Sequence, residues 1–201
     1  MNIKQAPQNN SNTQTVIKTV KKQSDWSFKE FISFILLTLA IVLPIRFFIA
    51  QPFIVSGESM DPTFATGQYL IVDQLTYRLD EPDRGDVIVF RLPQEPSRFL
   101  IKRLIGLPGE TVKIVGTQVS VKEIDSDNFR DLSENYITHE KEANLEEILG
   151  EGEYFVLGDN RANSLDSRFF GTIDEKFLVG RALVRLFPFN KMDWKPGKFN
   201  I

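Results

Sequence analysis

The stretch Asp83-Arg84-Gly85-Asp86-Val87-Ile88-Val89-Phe90, followed by Phe99-Leu100-Ile101-Lys102-Arg103-Leu104-Ile105 and Thr111-Val112-Lys113-Ile114-Val115, decides the fold class. These apolar runs are too short for helices, are rich in Val, Ile, Leu and Phe, and are bounded by Gly, Pro and Asp. Asp83-Arg84-Gly85 is a turn signal, and so is Leu107-Pro108-Gly109. Gly116-Thr117 is placed to fold Thr111–Val115 back on Val119–Lys122 as a hairpin. Working outward, Tyr69-Leu70-Ile71-Val72, Glu153–Leu157 and Leu178–Phe187 repeat the pattern. Residues 51–201 therefore read as a mainly β domain with an antiparallel sheet. A more polar, acidic insertion at about 123–150 interrupts it, with a short helix expected near Asn144–Leu149.

Upstream, the character changes. Residues 1–24 read as a disordered tail, because Gln5–Gln14 is rich in Gln, Asn and Ser and has little apolar surface to bury. Residues 25–50 read as a juxtamembrane segment and an anchor. The run Phe31–Ala50, FISFILLTLAIVLPIRFFIA, has about the 20 residues a transmembrane helix needs. It is apolar on all faces, which argues against a core helix with one buried stripe. Only Arg46 is charged, near the far end, where it can snorkel. The run is longer than the apolar part of a cleaved signal peptide and ends in a bulky Phe48-Ile49-Ala50, so it reads as a retained anchor. Lys18, Lys21, Lys22 and Lys29 precede it, which predicts a single-pass protein with a cytoplasmic N-terminus and the rest outside.

Composition excludes several chemistries. A net charge of −3 gives no basic excess for nucleic acid. There is no cysteine, so neither disulfides nor thiolate metal sites are available. The single histidine, His139, sits in the acid-rich stretch 134–147 and reads as a solvated loop residue. It is a poor candidate for a Ser-His-Asp triad or a zinc site, and no metal or cofactor is expected.

Three clusters remain. Ser56-Gly57-Glu58-Ser59-Met60-Asp61-Pro62-Thr63-Phe64 lies just beyond the apolar run and offers a serine beside a flexible Gly57 and a stiff Pro62. A serine nucleophile needs a base, and without histidine the natural substitute is a lysine neutralised by burial. On an alternating strand Lys102 shares a face with Leu100 and Leu104, while Arg103 points the other way. The third cluster, Gly158–Arg168, is a loop dense in carboxylates and guanidinium groups and suggests a conformation locked by their pairing.

Taken together, Ser59-Met60-x-Pro62-Thr63, Lys102-Arg103-Leu104-Ile105-Gly106-Leu107-Pro108-Gly109 and Gly158-Asp159-Asn160-Arg161-x-Asn163-Ser164-x-Asp166-Ser167-Arg168 resemble type I signal peptidases, the bacterial-type leader peptidases. Order and placement after an N-terminal apolar run match too, and the resemblance covers residues 51–190. It implies an antiparallel β catalytic domain of signal-peptidase type behind one N-terminal transmembrane helix. It also implies a serine endopeptidase that cuts signal peptides from exported preproteins after small residues of A-x-A type. In this reading Ser59 attacks, Lys102 is the general base, and Ser164 hydrogen-bonds and orients Lys102. Arg103 pairs with Asp159, and Asp166 with Arg168. The Ser59 N–H is one oxyanion donor; Gly57 stands where some relatives carry the serine that supplies the second, with Ser56 one residue further off.

The resemblance further implies that substrate binds as an added strand against Phe53–Gly57 and the Lys102 strand. Phe53, Val55, Gly57, Met60, Phe64 and Ile101 are the expected binding residues. Signal peptides and membrane lipid are the expected partners. The chain is placed in the cell membrane, with a thylakoid membrane equally compatible. Two other readings stay open: a self-cleaving repressor type of serine–lysine protease, disfavoured by the apolar run, and an inactive membrane-tethered β domain that only binds exported chains.

Overall fold

A computed structural model of the chain describes residues 27–44 and 50–199. The expected tail, residues 1–24, and Arg46 lie outside the described residues.

Helix α1 spans Phe28–Pro44. Ser27 caps it: its N–H donates to Glu30 Oε2 at 2.9 Å, the reciprocal half of a capping box. The Thr38 hydroxyl donates to Phe34 O at 2.8 Å, which satisfies it within the apolar stretch. No residue of α1 is buried. The described helix has 17 residues, about 25 Å at 1.5 Å per residue, against roughly 30 Å of bilayer hydrocarbon. Among the described residues no helix is long and apolar enough to cross a membrane. This differs from the span expected over Phe31–Ala50, of which residues 45–49 are not described.

The rest is antiparallel β, as expected. The strands are β1 (Ala50–Ile54), β2 (Tyr69–Asp73), β3 (Val87–Leu92), β4 (Glu95–Gly106), β5 (Thr111–Gly116), β6 (Gln118–Lys122), β7 (Arg130–Asp131), β8 (Ala143–Ile148), β9 (Glu153–Leu157), β10 (Ile173–Asp174), β11 (Leu178–Phe187) and β12 (Asp193–Trp194). Two short helices, α2 (Thr76–Leu79) and α3 (Ser167–Phe170), interrupt them. The main sheet runs β1-β2-β11-β3-β4-β9-β10, with β12 on β11, and the small sheet runs β7-β6-β5-β8.

Alternation assigns the cores. On β3, β4 and β9, Ile88, Phe90, Leu104, Tyr154 and Val156 face one cluster with Ile173. The intervening Ile105, Phe155 and Leu157 face a second cluster, where Val112, Ile114, Val119 and Val121 of the small sheet meet them. Gly106 lies where these layers touch: a Cβ there would run into Val112, Leu149 and Phe155.

The hairpin forms as read, with Val115 opposite Gln118 and Gly116 at φ +63°, a backbone state glycine adopts without strain. The helix expected near Asn144–Leu149 does not form. Residues 143–148 pair along β5 instead, Thr111 opposite Ile148 and Gly116 opposite Ala143. Alternating burial of Ala143, Leu145 and Glu147 fits a two-residue period, and tertiary pairing overrides the helix preference of Leu and Glu.

Candidate active site

The loop between β1 and β2 presents Ser59. It is closed at its base by Val55 N–H to Gln68 O and Gly67 N–H to Val55 O, both 2.9 Å. The Thr66 hydroxyl donates to Gly57 O at 2.9 Å and accepts from Gly57 N–H at 3.1 Å, holding Gly57 at φ +96°. A side chain at that φ would be strained, which accounts for glycine here. Met60 and Phe64 anchor the loop from below. They are 1% and 0% exposed and pack with Val55, Leu70, Val87 and Ala182. Both were expected to line substrate pockets. They belong to the core because Phe64 N–H bonds Met60 O at 2.8 Å, a single turn that sends both side chains inward.

Lys102 comes from the middle of β4, opposite Ile88 of β3. Its Nζ lies 2.6 Å from Ser59 Oγ and 2.9 Å from Ile101 O. The residue is 2% exposed. Burial pushes the amine down to about 8, against the opposing pull of Asp166 and Asp159, with Arg98 adding to the depression. A serine hydroxyl touching an amine that is readily neutral has the parts of a nucleophile and its base.

The two face a cleft of about 100 Å³, into which Phe53, Val55, Ser56, Phe99 and Ile101 also project. Phe53, Val55 and Ile101 were expected there; Gly57 is exposed and does not line it. Among the described residues strand β1 is bonded on one side only, to β2. Strand β4 meets β9 only over Arg103–Gly106, so among the described residues its Glu95–Lys102 half also has an unpaired side. The sheet curls until these two free edges line the same cleft, where the rings of Phe53 and Phe99 stand 5.3 Å apart, edge to face.

Behind Lys102 the chain is locked by buried charge pairs. Arg103 Nε and Nη2 donate to the two Asp159 oxygens at 2.8 and 2.6 Å, with both side chains almost fully buried. The Thr63 hydroxyl adds a bond to Asp159 at 2.5 Å, Arg103 Nη1 donates to Gly85 O at 2.9 Å and also to Gly197 O, and the Tyr136 ring covers the guanidinium at 4.0 Å. Asp166 accepts Gly158 N–H at 3.1 Å and a two-pronged bond from Arg168 at 2.8 Å each. It also caps α3 through Arg168 N–H. Arg161 pairs with Glu134 and donates to Gly158 O at 3.1 Å.

These pairs seat the Gly158–Arg168 loop against Ser59: Asn160 N–H bonds Ser59 O at 3.0 Å. A Cβ on Gly158 would strike the Ser164 side chain and Ser59 O. The expected bond from Ser164 to Lys102 does not form. Ser164 Oγ is buried without a hydrogen-bond partner among the described residues, and Lys102 spends its contacts on Ser59 and Ile101 instead. Thr63, Tyr136, Glu134 and the Gly85 carbonyl were not anticipated as supports, since nothing local marks a residue whose partner is tens of positions away.

His139 stays clear of this chemistry. Its side chain is half exposed and its Nε2 lies 3.8 Å from Asp61. Among the described residues no group of three His, Cys, Asp or Glu side chains could hold a metal ion.

Serine, buried amine and cleft define a candidate hydrolase site, and the comparisons with known proteins narrow the class. The family profile described as signal peptidase, peptidase S26, matches residues 28–187. The signal peptidase I of Leptolyngbya laminosa is 38% identical over 178 residues, 85% of each chain. That of Bacillus amyloliquefaciens is 35% identical over 187 residues, 87% of this chain and 93% of its own. A crystal structure of a signal peptidase I from Enterococcus faecalis V583, 33% identical, covers 51% of this chain and 97% of its own with a TM-score of 0.41, an overlap too loose to bear on the site. The chain belongs to the signal peptidase family, peptidase S26.

Proposed function

We propose that this chain is an endopeptidase that removes signal peptides from exported preproteins by a Ser59/Lys102 dyad. The observation that carries this is the 2.6 Å contact between Ser59 Oγ and a Lys102 amine buried at the wall of a cleft between two free strand edges. An extended substrate adds as a strand between β1 and β4, using their unpaired N–H and C=O groups. The neutral amine takes the Ser59 proton as Oγ attacks the scissile carbonyl, giving a tetrahedral intermediate whose oxyanion receives the Ser59 N–H. The protonated amine then donates to the leaving nitrogen, and water resolves the acyl-enzyme by the same route in reverse.

The small apolar cleft walled by Phe53, Val55 and Ile101 suits short apolar side chains, which is compatible with cleavage after A-x-A. The apolar run at 31–50 is the anchor, with Lys18, Lys21 and Lys22 on the cytoplasmic side and the β domain outside. Tethering enzyme and preprotein to one membrane raises their effective concentration. The test is cut-site mapping by mass spectrometry on a preprotein series. Ala, Gly and Ser at the two key positions are expected to be cut, and Leu or Phe there to block cleavage. Equal cutting of the bulky variants would refute the pocket assignment.

A further inference from the structure

Strand β4 is bulged at its free end. Its register with β3 passes from Arg91 opposite Phe99 directly to Leu92 opposite Glu95, so Pro96, Ser97 and Arg98 have no partner on that side. On the other side β9 begins only at Arg103. Among the described residues this segment is therefore unpaired on both edges. A bulge at a sheet edge bends the strand and re-aims a side chain. Here the last bulged residue is Arg98, immediately before Phe99, Leu100, Ile101 and Lys102, which line the cleft.

Arg98 is exposed and, among the described residues, is in no ion pair and no hydrogen bond. Its neighbour Arg91 lies over the Phe99 ring at 4.9 Å instead. The Arg98 charge reaches the catalytic end of the cleft. Burial is the main cause of the depressed Lys102 amine, Asp166 and Asp159 oppose it, and Arg98 is the cation that adds to it. No carboxylate lines the cleft. Its field is therefore positive, with Lys102 in the wall and an uncompensated guanidinium at the mouth.

The free edges also fix the direction of a bound chain. Strand β9 covers the edge of β4 from Arg103 onward, so an added strand lies along Glu95–Lys102 and stops at Lys102. Residues ahead of the cut fill the pocket walled by Phe53, Val55 and Ile101, so they run from Lys102 back toward Glu95, parallel to β4. Arg98 stands four residues before Lys102, roughly 13 Å at about 3.3 Å per residue. From this geometry we infer that Arg98 is a specificity-determining residue that reads the charge of the preprotein four to five residues ahead of the cut, favouring an acidic side chain there and disfavouring a basic one. Opposite charges on neighbouring strands attract and like charges repel. The inference rests on the proposed Ser59/Lys102 peptidase reading and adds a charge preference to it.

The test is kcat/KM of the full chain in an uncharged detergent on preproteins with one A-x-A site and Asp, Gln or Arg placed singly at each of the fourth to seventh residues ahead of the cut, and at the third residue after it. At pH 9 and low salt the Asp-to-Arg ratio is expected to be about fivefold or more at the fourth or fifth residue, to fade by about 0.5 M NaCl, and to be near one after the cut. Arg98→Lys is expected to keep the preference, Arg98→Gln to flatten it and Arg98→Glu to invert it, with cutting of the Gln preprotein changed less than the ratio. Circular dichroism checks that each variant is folded. A reversal of preference with the sign of one side chain is a readout that a merely structural role does not move. Cutting of the Gln preprotein with no charge preference, or a preference that survives in folded Arg98→Glu, would overturn this inference alone. Failure of the wild type to cut the Gln preprotein would overturn the peptidase reading and this inference with it.

Discussion

Replacing Lys102 by Met should make the protein more stable at neutral pH while abolishing its chemistry. Met keeps the length and apolar stem of the side chain and removes the amine. The amine ordinarily titrates near 10.5, and burial brings it down to about 8 in the folded chain. That gap corresponds to about 3 kcal/mol at ~1.4 kcal/mol per pH unit. Below pH 8 the amine is protonated both folded and unfolded, and the folded state bears the full penalty of a buried charge. Between 8 and 10.5 the unfolded chain holds one proton more, so the wild type gains stability as pH rises. Above 10.5 both states are neutral and the penalty is gone.

Met has nothing to titrate, so the advantage of Lys102→Met should be largest below pH 8 and fade across that window. Loss of the bond to Ser59 subtracts about 1 kcal/mol throughout, leaving a net gain of about 2 kcal/mol at pH 7. Urea titrations of the full chain in mild detergent at pH 7, 8.5 and 10, followed by far-UV circular dichroism, read the difference between the two proteins and cancel every other titrating group. A difference that does not change with pH, or a Met variant less stable at pH 7, would refute the argument that desolvation sets the state of this amine.

In the proposed mechanism the same amine governs rate. kcat/KM on a preprotein should rise about tenfold per pH unit below about 8 and level off above it, because only the neutral amine accepts the Ser59 proton; a flat profile from pH 6 to 9 contradicts this. Gly158→Ala forces a Cβ against Ser164 and the Ser59 carbonyl. A loss on the order of 100-fold in kcat/KM is expected from displacing the nucleophile by a fraction of an ångström, with wild-type activity as the opposing result. Arg103→Met leaves Asp159 buried with only Thr63 as a partner; the urea midpoint should fall by the equivalent of about 3–5 kcal/mol, and a change below about 1 kcal/mol would mean the pair is not integral to the fold.

What could be read from the sequence follows the range over which its signals act. Val87–Phe90, Thr111–Val115 and Glu153–Leu157 are legible as strands because burial of alternate residues is written locally, and the Gly116-Thr117 turn fixes one register without outside help. Strand β8 is not legible: Leu145, Glu146 and Glu147 favour a helix on their own, and only the free edge of β5 makes them extended. At the site, Ser59 and Lys102 stand out by elimination of histidine and by the apolar neighbours of the lysine. Sequence cannot say that Met60 and Phe64 turn inward, since both pocket and core ask for apolar side chains there. Nor can it show that Ser164 Oγ is left unpaired among the described residues, because whether a hydroxyl meets an amine depends on tenths of an ångström between a loop and a strand about sixty residues apart. Membership in the signal peptidase family was legible because three motifs stand in the family's order after an N-terminal apolar run.

The central claim is that Ser59 is the nucleophile and Lys102 its base. The direct measurement is cleavage of a preprotein with an A-x-A site by the purified full chain, by Ser59→Ala and by Lys102→Ala, with the cut position read by mass spectrometry and folding checked by circular dichroism. The account predicts that the wild type cuts after A-x-A and that both variants are folded and inactive. Cleavage by folded Ser59→Ala at the wild-type rate would contradict it.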